Sequence, residues 1–152
     1  MHHNYSHFYF LGIGGIGMSA LARYLVHLGK KVAGYDRVRS PLCIQLEKEG
    51  IDIHYQDDFD AIPPDFKNPE KCLVVYTPAV PAGFGEMLRF RDPDSYRDGF
   101  KMIKRAQLLG EISKKTTCLA VAGTHGKTTT SAILAHLLHE TGVKMTAFMG
   151  VF

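Results

Sequence analysis

The run Gly12-Ile13-Gly14-Gly15-Ile16-Gly17 constrains most tightly what this chain can fold into. A short apolar and aromatic run, His7 to Leu11, precedes it. A stretch from Met18 to Leu28 follows, with apolar residues at 18, 21, 22, 25 and 28 and Gly29 at the stop. That spacing predicts one face of a helix closed by a C-terminal glycine. Lys31 to Tyr35 then reads as a second strand ending at Asp36. Strand, Gly-x-Gly-x-x-Gly, helix, strand and acid make a dinucleotide-type βαβ unit, with its two strands parallel. In such a unit the glycines let the backbone approach a diphosphate, and the helix start offers free N–H groups with a partial positive charge. Asp36 is placed to accept a ribose hydroxyl, although a solvated turn acid would occupy the same position.

The remainder of the first two thirds extends the pattern. Ser40-Pro41 predicts a helix start, with Ser as the cap and Pro in the first turn, and Gly50 ends that helix. Ile51 to His54 reads as a short strand, and Asp57 to Pro64 as a short helix or turn. Cys72 to Tyr76 is almost continuously apolar, the signature of a strand buried on both faces. It runs into Thr77-Pro78-Ala79-Val80-Pro81, a stiff loop at the carboxyl end of a strand, the edge where open α/β sheets bind ligands. Glu86 to Arg91 is read as helical, 92–99 as loop, Lys101 to Ile103 as a short strand and Arg105 to Ile112 as an amphipathic helix. Lys104-Arg105 either meets a phosphate or carboxylate or is a solvated pair. The fold class is α/β, a Rossmann-like, mostly parallel sheet with flanking helices, followed by the start of a P-loop ATPase domain. The boundary falls at Lys114-Lys115, giving units 1–114 and 115–152.

A second glycine turn opens that second unit. Cys118 to Ala122 is read as a strand, Gly123-Thr124-His125-Gly126-Lys127-Thr128-Thr129-Thr130 as a phosphate loop, Ser131 to Leu138 as a helix and Val143 to Phe148 as a further strand. Val121 stands where the full G-x-x-x-x-G-K-[ST] pattern has glycine. Backbone from Gly123 to Thr129 would surround phosphates, Lys127 would reach the β- and γ-phosphates, and Thr128 would ligate Mg²⁺. His125 either touches phosphate or shapes the loop. His136 and His139 share a helical face without a third ligand nearby, which favours two exposed side chains over a metal site.

A net charge of +3, with acids and bases interspersed, gives no argument for a nucleic-acid partner. No stretch is long and apolar enough for a membrane span, and no partner membrane is expected. Cys43, Cys72 and Cys118 form no C-x-x-C pair; buried thiols in a reducing cytoplasm are the expectation. The two phosphate loops together narrow the chemistry. A nicotinamide dehydrogenase uses only the first, and a simple kinase or ATPase only the second. An enzyme that binds a nucleotide-linked substrate and activates it with ATP uses both.

These motifs resemble those of the Mur ligase family, over nearly the whole chain. The resemblance is carried by His7 to Ser19, Gly34 to Arg37, Thr77 to Pro81, Lys104 to Glu111 and Ala122 to Thr130. Residues 82–100 depart from the family pattern as a lengthened loop. The resemblance implies ATP-driven joining of an amine to the carboxylate of UDP-N-acetylmuramate through an acyl phosphate, in peptidoglycan precursor synthesis. Gly14-Gly-Ile-Gly-Met18 favours the branch that adds L-alanine over the recycling branch that adds a tripeptide. A nicotinamide-binding oxidoreductase domain is the alternative of another class.

The resemblance further implies that Gly12, Ile13, Gly14, Gly15, Ile16 and Gly17 hold the diphosphate. Asp36 would face the uridine region, with Thr77, Pro78, Ala79 and Arg105 lining the same pocket. ATP would lie on Gly123, Thr124, His125, Gly126, Lys127, Thr128 and Thr129, with Mg²⁺ on Thr128. Lys127 and Thr128 would serve catalysis. UDP-N-acetylmuramate, L-alanine and ATP are the implied partners. The chain would then hold the first unit and the opening of the second, able at most to bind the UDP-linked ligand.

Overall fold

A computed structural model describes residues 5–92 and 99–149. Five parallel strands form one sheet in the order β3-β2-β1-β4-β5: β1 His7–Leu11, β2 Lys31–Tyr35, β3 Asp52–His54, β4 Cys72–Tyr76 and β5 Met102–Lys104. The order follows from burial. All of β1 is buried and four of the five residues of each of β2 and β4 are, so β1 takes the centre with those two on either side. Phe8, Tyr9, Phe10 and Leu11 are each 0% exposed. Side chains of this kind gain roughly 1.5–3 kcal/mol apiece on burial.

Helices α1 (Ile16–His27), α2 (Pro41–Lys48) and α4 (Arg105–Ser113) cover one face, over Phe8, Phe10, Val32 and Val75. Helix α3 (Gly85–Arg91) and two short 3₁₀ segments, Phe59–Ala61 and Pro64–Lys67, cover the other, over Tyr9, Leu11, Tyr35 and Val74. The faces alternate because the chain moves from β1 outward to β3 and later from β4 outward to β5. Right-handed crossovers in opposite directions put their connections on opposite sides. The caps expected from the sequence are present. Ser40 Oγ accepts from the Cys43 N–H at 3.2 Å, and Gly29 and Gly50 take φ values of +74° and +87° just past their helices.

Several expectations need correction. Helix α1 starts two residues earlier than Met18, and Leu28, expected on its buried face, is 53% exposed because the helix ends at His27. Cys43 and Cys72 are buried but Cys118 is exposed. The strands expected at 118–122 and 143–148 are absent; both stretches are irregular. An apolar run becomes a strand only when a neighbour takes its N–H and C=O groups, and neither stretch finds one among the described residues. The final helix, α5 (Lys127–Glu140), forms as expected but buries none of its residues. Most of the loop expected at 92–99 lies outside the described residues. Among those described, no helix is long and apolar enough to cross a membrane.

Candidate functional site

Register assembles the site. Leu11 pairs with Tyr35 and Tyr76, Tyr35 with His54, and Tyr76 with Lys104, so the five strands end level with one another. The residues next in the chain, Gly12, Asp36, Thr77 and Arg105, therefore all emerge along one carboxyl edge. Gly12 and Thr77 follow β1 and β4, the adjacent pair whose connections leave in opposite directions. That is the switch point at which an open α/β sheet forms its crevice.

Gly12 has φ +84°, and a Cβ built on it would lie 2.9 Å from Thr77 Cγ2 and 3.3 Å from Val80 Cγ2. Glycine is required there by conformation and by the 77–81 loop closing over it. The Gly12 and Ile13 N–H groups donate to Tyr35 O at 2.8 and 3.0 Å, which ties the turn to β2. Asp36 holds the next part of the turn. Its Oδ2 accepts from the Gly14 N–H at 2.7 Å and its Oδ1 from the Val38 N–H at 3.1 Å. The carboxylate expected to meet a ribose is thus first a clasp for the glycine turn, with lone pairs left over for a ligand. The Ile16 and Gly17 N–H groups at the start of α1 have no partner among the described residues.

Arg105 completes this group. It opens α4, whose start is fixed by Gln107 Oε1 accepting from the Lys104 N–H at 2.8 Å. A Cβ on Gly17 would overlap the Arg105 guanidinium, with Cζ at 3.0 Å, so the guanidinium lies directly against the start of α1. Neither α1 nor α4 has an acid in its first turn, and no carboxylate pairs with Arg105 among the described residues. The start of α1 and the Arg105 guanidinium thus meet with no acid in the first turn of either helix, Asp36 being taken up by the Gly14 and Val38 amides; such an arrangement suits an anion. Pro78 and Ala79 lie in the loop flanking this crevice.

The second phosphate loop has the expected local shape. Gly126 caps α5 with φ +75°, and Gly123 has φ +155°. Lys127 folds back, its Nζ donating to Gly123 O at 2.7 Å. Thr124, His125, Thr128 and Thr129 are exposed along the loop and the first turn. His136 and His139 are not part of a metal-type cluster; no such cluster exists among the described residues. The structure therefore brings Gly12–Gly17, Asp36, Thr77 and Arg105 together along one edge of the sheet and leaves the 123–129 loop as a separate feature.

Other contributors carried no sequence signal. Cys43 Sγ and Asp36 Oδ2 would lie 2.5 and 2.8 Å from a Cβ on Gly14, so a buried thiol backs the glycine turn. Asp57 accepts from the Gly85 and Glu86 N–H groups at 2.7 and 3.0 Å and caps α3. The Asp57-Asp58-Phe59 run reads only as a short helix or turn, and the partner of Asp57 lies 28 residues away.

Residues 7–117 match the model of the Mur ligase family, catalytic domain. The chain belongs to the Mur ligase family. It is 54% identical over 142 residues to the UDP-N-acetylmuramate–L-alanine ligase of Parabacteroides distasonis, covering 93% of this chain and 30% of that protein. With the enzyme of the same name from Christiangramia forsetii it is 53% identical over 145 residues, covering 95% of this chain and 31% of the relative. The chain thus spans under a third of the length of the curated relatives it matches. Among solved structures, the UDP-N-acetylmuramate–alanine ligase of Thermotoga maritima superposes with a TM-score of 0.74 at 32% identity, covering 90% of this chain and 30% of that one. The UDP-N-acetylmuramate:L-alanyl-γ-D-glutamyl-meso-diaminopimelate ligase of Neisseria meningitides gives 0.75 at 31%, covering 91% and 40%.

Proposed function

We propose that residues 1–114 form the UDP-N-acetylmuramate-binding unit of an ATP-dependent ligase that joins L-alanine to the carboxylate of that sugar nucleotide. Residues 115–152 then open its ATP-binding unit. The observation that carries the reading is the Arg105 guanidinium set against the acid-free start of α1, beside unpartnered Ile16 and Gly17 amides. A diphosphate supplies the missing charge and the missing acceptors. Gly12 to Gly17 hold it, Asp36 keeps the turn in shape next to the uridine side, and Thr77, Pro78 and Ala79 roof the crevice. The choice of L-alanine over a tripeptide rests on the curated relatives, which are named for L-alanine at 54% and 53% identity; the two solved structures do not separate the readings, at 32% and 31% identity. Free thiols and the lack of a membrane-spanning helix among the described residues accord with a cytoplasmic protein.

The second loop fits ATP with Mg²⁺ in its donor set. Gly123 and Gly126 give backbone access, Thr128 offers a hydroxyl in the first turn of α5, and Lys127 lies over the loop already bonded to its carbonyl. Bound ATP would supply the phosphoryl group that activates the sugar carboxylate. Lys127 would leave Gly123 O to neutralise phosphate charge, and Thr128 would hold the metal.

Differential scanning fluorimetry of the chain with UDP, UDP-N-acetylmuramate, NAD and NADP tests the first site. A ligand at a hundred times its Kd stabilises by about 2.7 kcal/mol, an easily read shift. The UDP ligands are expected to raise Tm; a shift with NAD and none with the UDP ligands would favour the oxidoreductase reading instead. In the complete enzyme, Lys127→Ala is expected to abolish ligation and leave UDP-sugar binding intact. Substantial surviving turnover would contradict the role given to Lys127.

A further inference from the structure

On the sheet face covered by α3, three polar side chains meet: Tyr9 and Glu86, both fully buried, and His54, partly buried. The Tyr9 hydroxyl, from the middle of β1, donates to Glu86 Oε2 at 2.7 Å and lies 2.6 Å from His54 Nε2 at the end of β3. The same His54 nitrogen is 3.1 Å from Glu86 Oε1. Glu86 sits in the first turn of α3 with no exposure at all. Packing alone gives no reason for a carboxylate there, since an unpaired buried polar group is costly; the three hold only as a unit. Burial, with the Glu86 carboxylate acting in the same direction, pushes the Tyr9 pKa well up, so the hydroxyl stays a donor.

The consequence lies in chain order. Thr77 and Val80, which close over Gly12, come shortly before α3. The intervening chain is two successive turns, the Val80 N–H donating to Thr77 O at 3.1 Å and the Phe84 N–H to Pro81 O at 3.0 Å. The Phe84 ring packs on Tyr35, centroids 4.5 Å apart. Asp57 then holds the Gly85 and Glu86 amides while the Tyr9 hydroxyl holds the Glu86 side chain, with His54 Nε2 3.1 Å from its other oxygen. The roof of the crevice is therefore strung between the end of β4 and an anchor buried in the sheet. An apolar residue at 86 would fill the space but would not fix α3 in register along its axis, because hydrophobic contact has no direction and hydrogen bonds do.

We propose that Tyr9, His54 and Glu86 are positioning residues: a buried clamp that sets the Thr77–Pro81 loop over Gly12 and so shapes the diphosphate crevice. The effect on ligand rests on the function proposed above; the effect on the loop does not.

The test compares Tyr9→Phe and Glu86→Gln with Cys72→Ala. The last removes packing from the same apolar cluster at the end of β4 remote from Thr77. Native-state hydrogen exchange is followed at the Val80, Phe84 and Gly85 amides, and UDP-N-acetylmuramate binding by calorimetry. Both clamp variants are expected to exchange roughly tenfold faster at these amides while central-strand amides keep their order of protection. Their affinity is expected to fall by roughly five- to twentyfold, the size of one or two lost positioning contacts. Cys72→Ala is expected to lower Tm with loop exchange and affinity at the wild-type level. Wild-type exchange of the loop in both clamp variants, or equal acceleration in Cys72→Ala, would overturn the clamp. Should Glu86→Gln not fold, Tyr9→Phe and His54→Gln carry the same comparison. The exchange readout needs no ligand, so failure of the wild type to bind the UDP-sugar overturns the proposed function and still leaves the clamp decided.

Discussion

Replacing Gly17 by alanine should separate folding from binding. Gly17 lies in the first turn of α1 with an ordinary helical backbone, so alanine is conformationally welcome. Alanine favours a helix over glycine by up to about 1 kcal/mol, less at the first turn. What the new methyl meets is Arg105: it overlaps Nη1 and lies 3.0 Å from Cζ and 3.3 Å from Cδ. Those atoms end a flexible side chain, which can swing away at little cost to the fold. Swinging away removes the guanidinium from the start of α1. A hydrogen bond to a charged group is worth about 1.5–3 kcal/mol, so UDP-N-acetylmuramate should bind roughly 10- to 150-fold more weakly. Tm should stay unchanged or rise by a few degrees. The decisive assay is a double-mutant cycle read by calorimetry. If the methyl acts by displacing Arg105, Gly17→Ala should cost little in an Arg105→Ala background. Full additivity, or an unchanged Kd in the single variant, would refute the link between Arg105 and the ligand.

Other positions give contrasting outcomes. Gly34→Ala places a Cβ 2.6 Å from Phe10 O and 3.1 Å from the Ile13 side chain, in the middle of the sheet; backbone cannot yield there, and urea unfolding should show a loss of about 3 kcal/mol or more. Burial, with the Lys31 charge helping and Asp65 opposing, holds the His7 pKa below its ordinary 6.5. Protonation therefore favours the unfolded chain: this part of the stability is whole above that value and is lost as pH falls below it, and His7→Gln should flatten the slope of the urea midpoint between neutral pH and pH 5. Burial pushes the Cys72 thiol up to about 12 and Cys43 is fully buried, whereas Cys118 is exposed. Mass spectrometry after brief alkylation at mildly alkaline pH should find only Cys118 modified in the folded chain, and all three after denaturation. Finally, α5 amides should exchange far faster than those of β1 and β4, because none of its residues is buried; protection equal to the central strands would refute this.

Most of the first unit was legible because its cues are local. Ser40-Pro41 and Gly50 bracket α2 with adjacent residues, and the unbroken apolar run of Cys72 to Tyr76 marks a central strand. The register that brings Gly12, Thr77 and Arg105 to one edge came from the structure; the residues alone left Arg105 open, and only the family resemblance placed it there. What stayed hidden depends on partners far along the chain. Glu86 in Gly-Glu-Met-Leu-Arg-Phe reads as an ordinary helical surface charge, and its partner Tyr9 is 77 residues away. Asp36 reads from sequence as either a ribose partner or a turn acid, and its bond to the Gly14 amide depends on how the turn folds back on β2. The runs at 118–122 and 143–148 express strand propensity, and propensity becomes structure only where a neighbouring strand is present.

The two glycine loops show what that difference means for binding. The first is held from outside on every side: by Tyr35 O beneath Gly12 and Ile13, by Asp36 on Gly14, by Thr77 and Val80 above, and by Arg105 against Gly17. With these contacts on every side, little of a ligand's binding free energy there would be lost to organising the loop. Among the described residues the second is held only by itself, through Lys127 to Gly123 O and the Thr130 N–H to Gly126 O. The helix behind it leaves Ile133 and Leu137 57% and 58% exposed, and a helix of this length without a packed face is marginal in water. A nucleotide there must both displace the Lys127 bond and order its own support. On the function proposed above, the first loop would then act as a site within this chain, while the second would need apolar cover on Ile133 and Leu137 before its lysine met phosphate.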